Sequence, residues 1–361
     1  MKANKRLIHL IPSLNFGGAE KMLAKLCSVS DEKVTVAYFN DGPLLKELQD
    51  NDNVLLVNLS SIVDLYRLVK SCESIVLCAW LYKSCIYAGL IKLITKNTTV
   101  IFNHRNSLCV HNSSKISRKV VLLCIKYLSK AIDGSIFNSY SGLKSYKHFG
   151  IESKKEQVIN NGFDLERFSY TTSDEKNKLK NKFGLKRKPT YLVSARNSVE
   201  KRYDIILSAF EIVKSRGIDF NLLICGADTL ALSNDIPKEI KSNVMIFDRV
   251  VDIENYVKIS DFLVLYSDTE GFPNVVGEAM SSGTICIVSD VGDCSMLVKE
   301  RGFVGKSGDL NNLVELIVES SQLDKEVIHT LSKDNRKYIE DNFSLDFIKK
   351  KYDHFLLNKA G

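Results

Sequence analysis

No stretch of the 361 residues approaches the ~18 consecutive apolar positions of a membrane-spanning helix. The opening MKANKRLIHLIPSL enters a strand pattern without a cleavage site, so a cytoplasmic chain is expected. None of the nine cysteines stands in a CxxC pair, and no His/Cys group has zinc spacing. That argues against a disulfide framework and a zinc site, and makes reduced core thiols the expectation. GxSxG and P-loop patterns are missing, and the absence of GxGxxG leaves an NAD oxidoreductase poorly supported. Acidic residues are absent from one long interval, between Glu73 and Asp133. Residues 1–170 hold 23 Lys+Arg against 14 Asp+Glu, whereas the remainder holds 27 against 29. The net charge of +7 therefore belongs to the N-terminal half.

What is present is ordinary globular composition, 45% hydrophobic and 26% charged, at a length that suits two domains. RLIHLIPSL, VTVAYF, SIVLCAW, TTVIFNH and GSIFNS read as short buried strands between helical stretches such as AEKMLAKLCSV and PLLKELQD. The rhythm restarts after about residue 186 with TYLVSAR, FNLLICG, NVMIFD, FLVLYSD and TICIVSD. Strands alternating with helices imply parallel sheets covered on both faces, and two such series imply two doubly wound α/β domains. The polar stretch TTSDEKNKLKNKFGLKRKP marks the seam.

DTEGFPNVVGEAM, residues 268–280, sets Glu270 and Glu278 eight positions apart around a turn that opens a helix. Pro273 suits a first helical turn, and Gly271 lets the chain bend. The N–H groups of Asn274, Val275 and Val276 would then face whatever lies in front of the helix. A well-capped turn with two helix-favouring glutamates fits the spacing equally well. SARNSVEK, residues 194–201, places Arg196 and Lys201 five apart across a polar turn, where two cations could clamp a diphosphate or simply be solvated. In PSLNFGGAEKM, Gly17 and Gly18 permit close approach of backbone to a phosphate or acceptor, or form a plain turn. His104 and Arg105 follow a buried strand in FNHRNS; a lone histidine there is more often structural than catalytic. Asp50-Asn51-Asp52 spells DxD, but in a polar loop that gives a metal little support.

KISRKVVLLCIKYLSKAI, residues 115–132, fits one amphipathic helix. At about 100° per residue, Lys115, Arg118, Lys119, Lys126 and Lys130 fall in one sector of roughly 120°, with Leu122 among them. Ile116, Val120, Leu123 and Tyr127 supply the opposite, apolar face. The basic side is either solvated or a face for anionic lipid headgroups. Nucleic acid is not expected, because no aromatic ladder or nucleic-acid motif accompanies the cations.

Together these motifs resemble the retaining GT-B glycosyltransferases of glycosyltransferase family 4. TEGFPNVVGEAMSSG resembles the family's Glu-x7-Glu segment, VINNGFDLERF its VIPNGxDxxxF linker, and SARNSVEK its GRLxxxK phosphate loop. The GGAE turn and FNSYSGLKSYKHFG also fit, so the similarity covers nearly the whole chain. It implies a GT-B fold of two Rossmann-like domains with a cleft between them. Residues 1–168 would form the acceptor-side domain and 169–340 the nucleotide-sugar domain. Residues 341–361 would be a C-terminal helix packing back towards the first domain. Arg196 and Lys201 would neutralise the departing diphosphate; Glu270 and the backbone of Phe272–Val275, after Gly271, would hold the sugar, and Glu278 the ribose. Gly17 and Gly18 would lie against the phosphates, and His104 falls near the family's N-domain histidine, in a different surrounding sequence. Arg202, where the family has glycine, and SAR in place of GR are further departures.

The implied reaction moves a sugar, with retention, from a nucleotide sugar to a lipid-linked or saccharide acceptor in surface-polysaccharide synthesis, with UDP the expected nucleotide. The hexose or N-acetylhexosamine is left open. No metal is expected. The enzyme would sit on the inner face of the membrane through its basic N-terminal domain. A nucleotide-sugar epimerase and an inert GT-B subunit partnering another transferase are the alternatives. The EGFP and linker segments disfavour the first, and retention of both glutamates and both loop cations disfavours the second.

Overall fold

The computed structural model describes residues 6–108 and 116–357, the side chains of 116–118 excepted. The aliphatic runs form parallel strands, as expected of segments buried on both faces. In the N-terminal unit these are β1 (Arg6–Ser13), β2 (Val34–Asn40), β3 (Val54–Asn58), β4 (Ile75–Trp80), β5 (Thr98–His104), β6 (Gly134–Phe137) and β7 (Glu156–Val158). They form one seven-stranded sheet in the order β3-β2-β1-β4-β5-β6-β7. Every residue of the central strand β4 is buried. Helices Gly18–Ser28 and Leu345–Leu357 contribute to one core, and Leu81–Ile94 and Ile116–Ser129 to another.

The C-terminal unit repeats the plan with β8 (Thr190–Ser194), β9 (Asn221–Cys225), β10 (Val244–Phe247), β11 (Phe262–Leu265), β12 (Ile285–Ser289) and β13 (Phe303–Gly305). Their order is β10-β9-β8-β11-β12-β13, again parallel throughout. β3, β7 and β13 escape a search for apolar runs for a physical reason. Each is an edge strand, β3 has only half-buried and exposed positions, and the other two have three residues.

The two units divide at Gly162/Phe163 and again at Ser344/Leu345. This corrects the expected seams at 168 and 340. Phe163 stacks on Phe272 with ring centroids 6.0 Å apart, and Phe168 is buried in the same cluster, so the chain enters the second core six residues early. The long helix Lys325–Phe343 also belongs to that unit, its Phe343 lying 5.8 Å from Phe272. Only Leu345–Leu357 rejoins the first unit, where Ile348, Tyr352, Phe355 and Leu356 are buried.

Candidate active site

The strand order of the C-terminal sheet reverses between β8 and β11, and ligands of open α/β sheets sit at such a switch point, beyond the strands' carboxyl ends. A cavity of about 420 Å³ lies there. Arg196 and Lys201 line it from the loop after β8, Glu270 from the loop after β11, and Phe272, Pro273, Asn274 and Val275 where the next helix starts. Residues 69 apart in sequence therefore converge because two parallel strands deliver their loops to one place.

The two loops are stitched together. Asp268 N–H donates to the Glu200 carbonyl at 2.9 Å, while Asn197 N–H ties the first loop to the one after β9 by donating to the Ala227 carbonyl at 2.8 Å. Lys201 forms an ion pair with Glu270, whose Oε1 also accepts from Ser267 Oγ at 2.9 Å. Arg196, with 67% of its side chain exposed, pairs with Glu200 at 2.8 Å. The Glu200 carboxyl is held below its usual range by its own backbone N–H and by Arg196. Both clamp cations thus carry an internal carboxylate. Ser267 and Glu200 escaped the sequence reading: Glu200 stands inside SARNSVEK and Ser267 at the end of a strand run, but only the fold shows what their side chains bond.

Arg202, the residue that departs from glycine, adopts φ +48° and ψ 48° in the left-handed region. Its guanidinium bonds Asp204 at 2.9 Å and Asp268 at 3.1 Å, which holds a backbone conformation that glycine reaches without strain.

The helix at the cavity runs Asn274–Ser281, with Pro273 one position before it. Asp293 N–H donates to the Gly271 carbonyl at 3.0 Å, fixing the turn from behind. Glu278 sits half-buried a turn down this helix and is not among the cavity-lining side chains. Gly277 is required by packing: a methyl group there would strike the ring of Phe163.

In the N-terminal unit, Gly17 caps helix Gly18–Ser28 with ordinary extended angles. Its missing side chain makes room for Glu20, whose carboxylate folds back to where a Cβ would stand. Burial raises the pKa of that carboxyl. The space at Gly17 is used by Glu20 in this structure.

His104 ends β5 and is buried among rings: Tyr146 at 4.2 Å, Phe137 at 5.0 Å and Phe102 at 5.9 Å between centroids. Burial lowers its pKa to about 3, and its Nε2 has no hydrogen-bond partner. This is the setting of a neutral core histidine. The structure gives His104 no exposed proton to exchange, unlike the exposed catalytic histidine that the resemblance implies. Asp50 and Asp52 lie in the turn before β3, at the amino end of an edge strand rather than a ligand-binding end.

Helix Ile116–Ser129 is turned differently from the expected orientation. Leu122, Ile125 and Leu128 are its buried apolar side chains, while Val120, Leu123 and Tyr127 are 53%, 46% and 69% exposed. Lys126 is not solvated with the others; its Nζ donates to the Phe149 carbonyl at 3.1 Å. Lys119 and Lys130 are exposed, and the side chains of Lys115 and Arg118 lie outside the described residues. The open face is consequently apolar with basic flanks. Among the described residues, no helix is long and apolar enough to cross a membrane.

Residues 175–338 match the model of the family described as glycosyl transferases group 1. Over 228 residues, 59% of this chain and 58% of the relative, the chain is 29% identical to an Escherichia coli UDP-Gal:alpha-D-GlcNAc-diphosphoundecaprenol alpha-1,3-galactosyltransferase. It thus spans less than two thirds of that relative's length. The structure of Anabaena HepE in complex with UDP superposes with a TM-score of 0.84 at 18% identity, covering 98% of this chain and all of that one. WaaG, a glycosyltransferase involved in lipopolysaccharide biosynthesis, superposes with a TM-score of 0.72 at 13% identity, covering 98% and 100%. The chain has the GT-B fold of two Rossmann-like units, and the match to the glycosyl transferases group 1 model lies within its C-terminal unit.

Proposed function

We propose that this chain is a retaining glycosyltransferase that moves a hexose from a UDP-sugar to a lipid-linked acceptor in surface-polysaccharide synthesis. The observation that carries this is the convergence of Arg196, Lys201, Glu270 and the start of helix Asn274–Ser281 on one open cavity. Two cations and a helix N-terminus suit a diphosphate, and a carboxylate beside them suits sugar hydroxyls. The galactosyltransferase relative makes UDP-galactose the first donor to try and a diphosphate-linked lipid the first acceptor class.

In this reading the donor diphosphate takes over Lys201 and Arg196 from Glu270 and Glu200. Glu270 then turns to the sugar, and Glu278 reads the ribose. The acceptor oxygen bonds to the anomeric carbon on the face from which UDP leaves, and its proton passes to the departing phosphate oxygen. The protein's share is position and charge stabilisation, which needs neither a general base nor a metal.

On the acceptor side, the exposed Val120, Leu123 and Tyr127, flanked by Lys119 and Lys130, suit an anionic bilayer at the inner face of the membrane.

UDP-galactose, UDP-glucose and their N-acetyl counterparts should be screened for hydrolysis and thermal stabilisation, with and without EDTA. One donor is expected to be hydrolysed in EDTA, with the released sugar keeping its anomeric configuration by NMR. Failure of every UDP-sugar to bind would overturn the reading, and release with inverted configuration would overturn retention.

A further inference from the structure

We infer that Arg105 is a phosphate-binding residue of the N-terminal unit, taking the phosphoryl oxygens of the acceptor. The inference rests on the proposed transferase reading for the acceptor's identity, but on its own observations for the anion. Arg105 directly follows β5, at the carboxyl end of a parallel sheet where ligands of this architecture sit. Its guanidinium lies over the Trp80 ring, 5.2 Å from the centroid, and Trp80 stacks in turn on Tyr352 at 6.0 Å and 7°. One terminal nitrogen donates to Tyr352 Oη at 2.9 Å and the other to Asn161 Oδ1. The Tyr352 oxygen is itself fixed by Asn103 Nδ2 at 3.1 Å.

Both of these acceptors are neutral. Among the described residues no carboxylate pairs with Arg105, although the other cations at loop ends described above, Arg196, Lys201 and Arg202, each have one. The chain on either side of Arg105 supplies none, for there is no acid from residue 74 to 132. Two of the five guanidinium N–H donors are engaged, and Nε is buried without a partner. A half-buried cation held rigidly by an aromatic face and two neutral oxygens has its geometry provided and its charge uncompensated. A planar fork with spare donors is matched by phosphoryl oxygens better than by any neutral group.

The neighbouring backbone adds to this. Asn138 Nδ2 donates to the Arg105 carbonyl at 3.0 Å, and the next residue, Ser139, caps helix Tyr140–His148. The positive end of that helix therefore lies beside the same loop. The clamp of Arg196 and Lys201 belongs to the other unit, so the two cation sets can be tested separately.

The test uses the full chain carrying Arg196→Ala and Lys201→Ala, titrated calorimetrically with inorganic pyrophosphate. Saturable binding should persist in this background, and adding Arg105→Gln should weaken it by about tenfold or more, with Arg105→Lys between the two. Absence of binding in the background, or equal binding after Arg105→Gln, overturns the assignment. Should Arg105→Gln fail to fold, phenylglyoxal labelling of the unmutated chain decides: pyrophosphate should slow modification at Arg105, and an unchanged rate refutes the site. Co-sedimentation with phosphatidylglycerol vesicles separates the sources of phosphate. The Arg105→Gln variant should sediment as its parent does; loss from vesicles with pyrophosphate binding unchanged would make the anion a bilayer headgroup and overturn the acceptor assignment. UDP affinity of the otherwise unmutated Arg105→Gln chain should not change. Failure of unmutated protein to bind UDP sinks the donor reading and leaves the pyrophosphate result standing.

Discussion

Lys201 and Glu270, 69 residues apart in sequence, form an ion pair in the C-terminal unit, with their side chains 17% and 13% exposed. The pair stands at the cavity, so the residue that would hold the leaving group and the one that would hold the sugar neutralise each other in this structure. Separating them by mutation should therefore have unequal effects.

Lys201→Ala removes the charge-assisted contact to a departing diphosphate, worth about 1.5–3 kcal/mol, and should lower turnover roughly 10- to 150-fold. Glu270→Gln frees Lys201, so calorimetry with UDP alone should show affinity held or improved while sugar transfer falls. Glu278→Ala should weaken UDP itself. Equal losses of UDP affinity in the two glutamate variants would reject the division between sugar and ribose.

His104 and His9 are both buried, and burial is the main cause that lowers each pKa from 6.5 to about 3. Below pH 6.5 the unfolded chain takes up protons that the folded chain refuses. Their contribution to stability is thus complete above pH 6.5 and is lost as pH falls towards 3, at about 1.4 kcal/mol per pH unit for each group. His104→Phe should remove one of these two slopes in urea unfolding between pH 4 and 6. The same variant should keep turnover within about threefold. A far larger loss in folded protein would restore a catalytic part for His104.

Gly277→Ala places a methyl group against the Phe163 ring and should cost about 1–3 kcal/mol by overpacking. Helix Asn274–Ser281 would shift with it, so UDP-sugar affinity should fall as well. Thermal unfolding and calorimetry check the two effects, and a variant as stable as the parent would show that Phe163 can move aside.

Arg202→Ala loses two carboxylate partners and leaves an alanine at positive φ, whereas Arg202→Gly loses the same partners without the strain. The glycine variant should be the more stable of the two by about 1 kcal/mol. Urea unfolding measures the difference, and the reverse order would mean that the loop relaxes out of the left-handed conformation.

The exposed face of helix Ile116–Ser129 should bind vesicles containing anionic lipid. Lys119→Gln with Lys130→Gln removes about 1 kcal/mol per cation, and binding should fall with rising salt as charges are screened. Leu123→Ser with Tyr127→Ser should release the protein at low salt too, while hydrolysis of the donor persists. Co-sedimentation unchanged in both double variants would leave this face merely solvated.

The sequence by itself determined the fold class and the residues that gather at the cavity of the C-terminal unit. Apolar strand runs such as FLVLYS and TICIVS can satisfy their backbone only inside a parallel sheet, and the residues that meet at the cavity sit in short motifs at strand ends. Local spacing carried that information, because a loop following a buried strand has one end of the sheet to emerge from. Tertiary structure alone decided what depends on the neighbours of a side chain. The pairing of Lys201 with Glu270 needs β8 and β11 side by side, which no local pattern states. The turning of helix Ile116–Ser129, which buries Leu122 and exposes Leu123, was set by packing against helix Leu81–Ile94, where Gly89 meets Leu128. A helical wheel gives the angles between residues but not which angle faces the core. His104 was legible as a histidine after a strand; that three aromatic rings enclose it follows from residues up to 42 positions away.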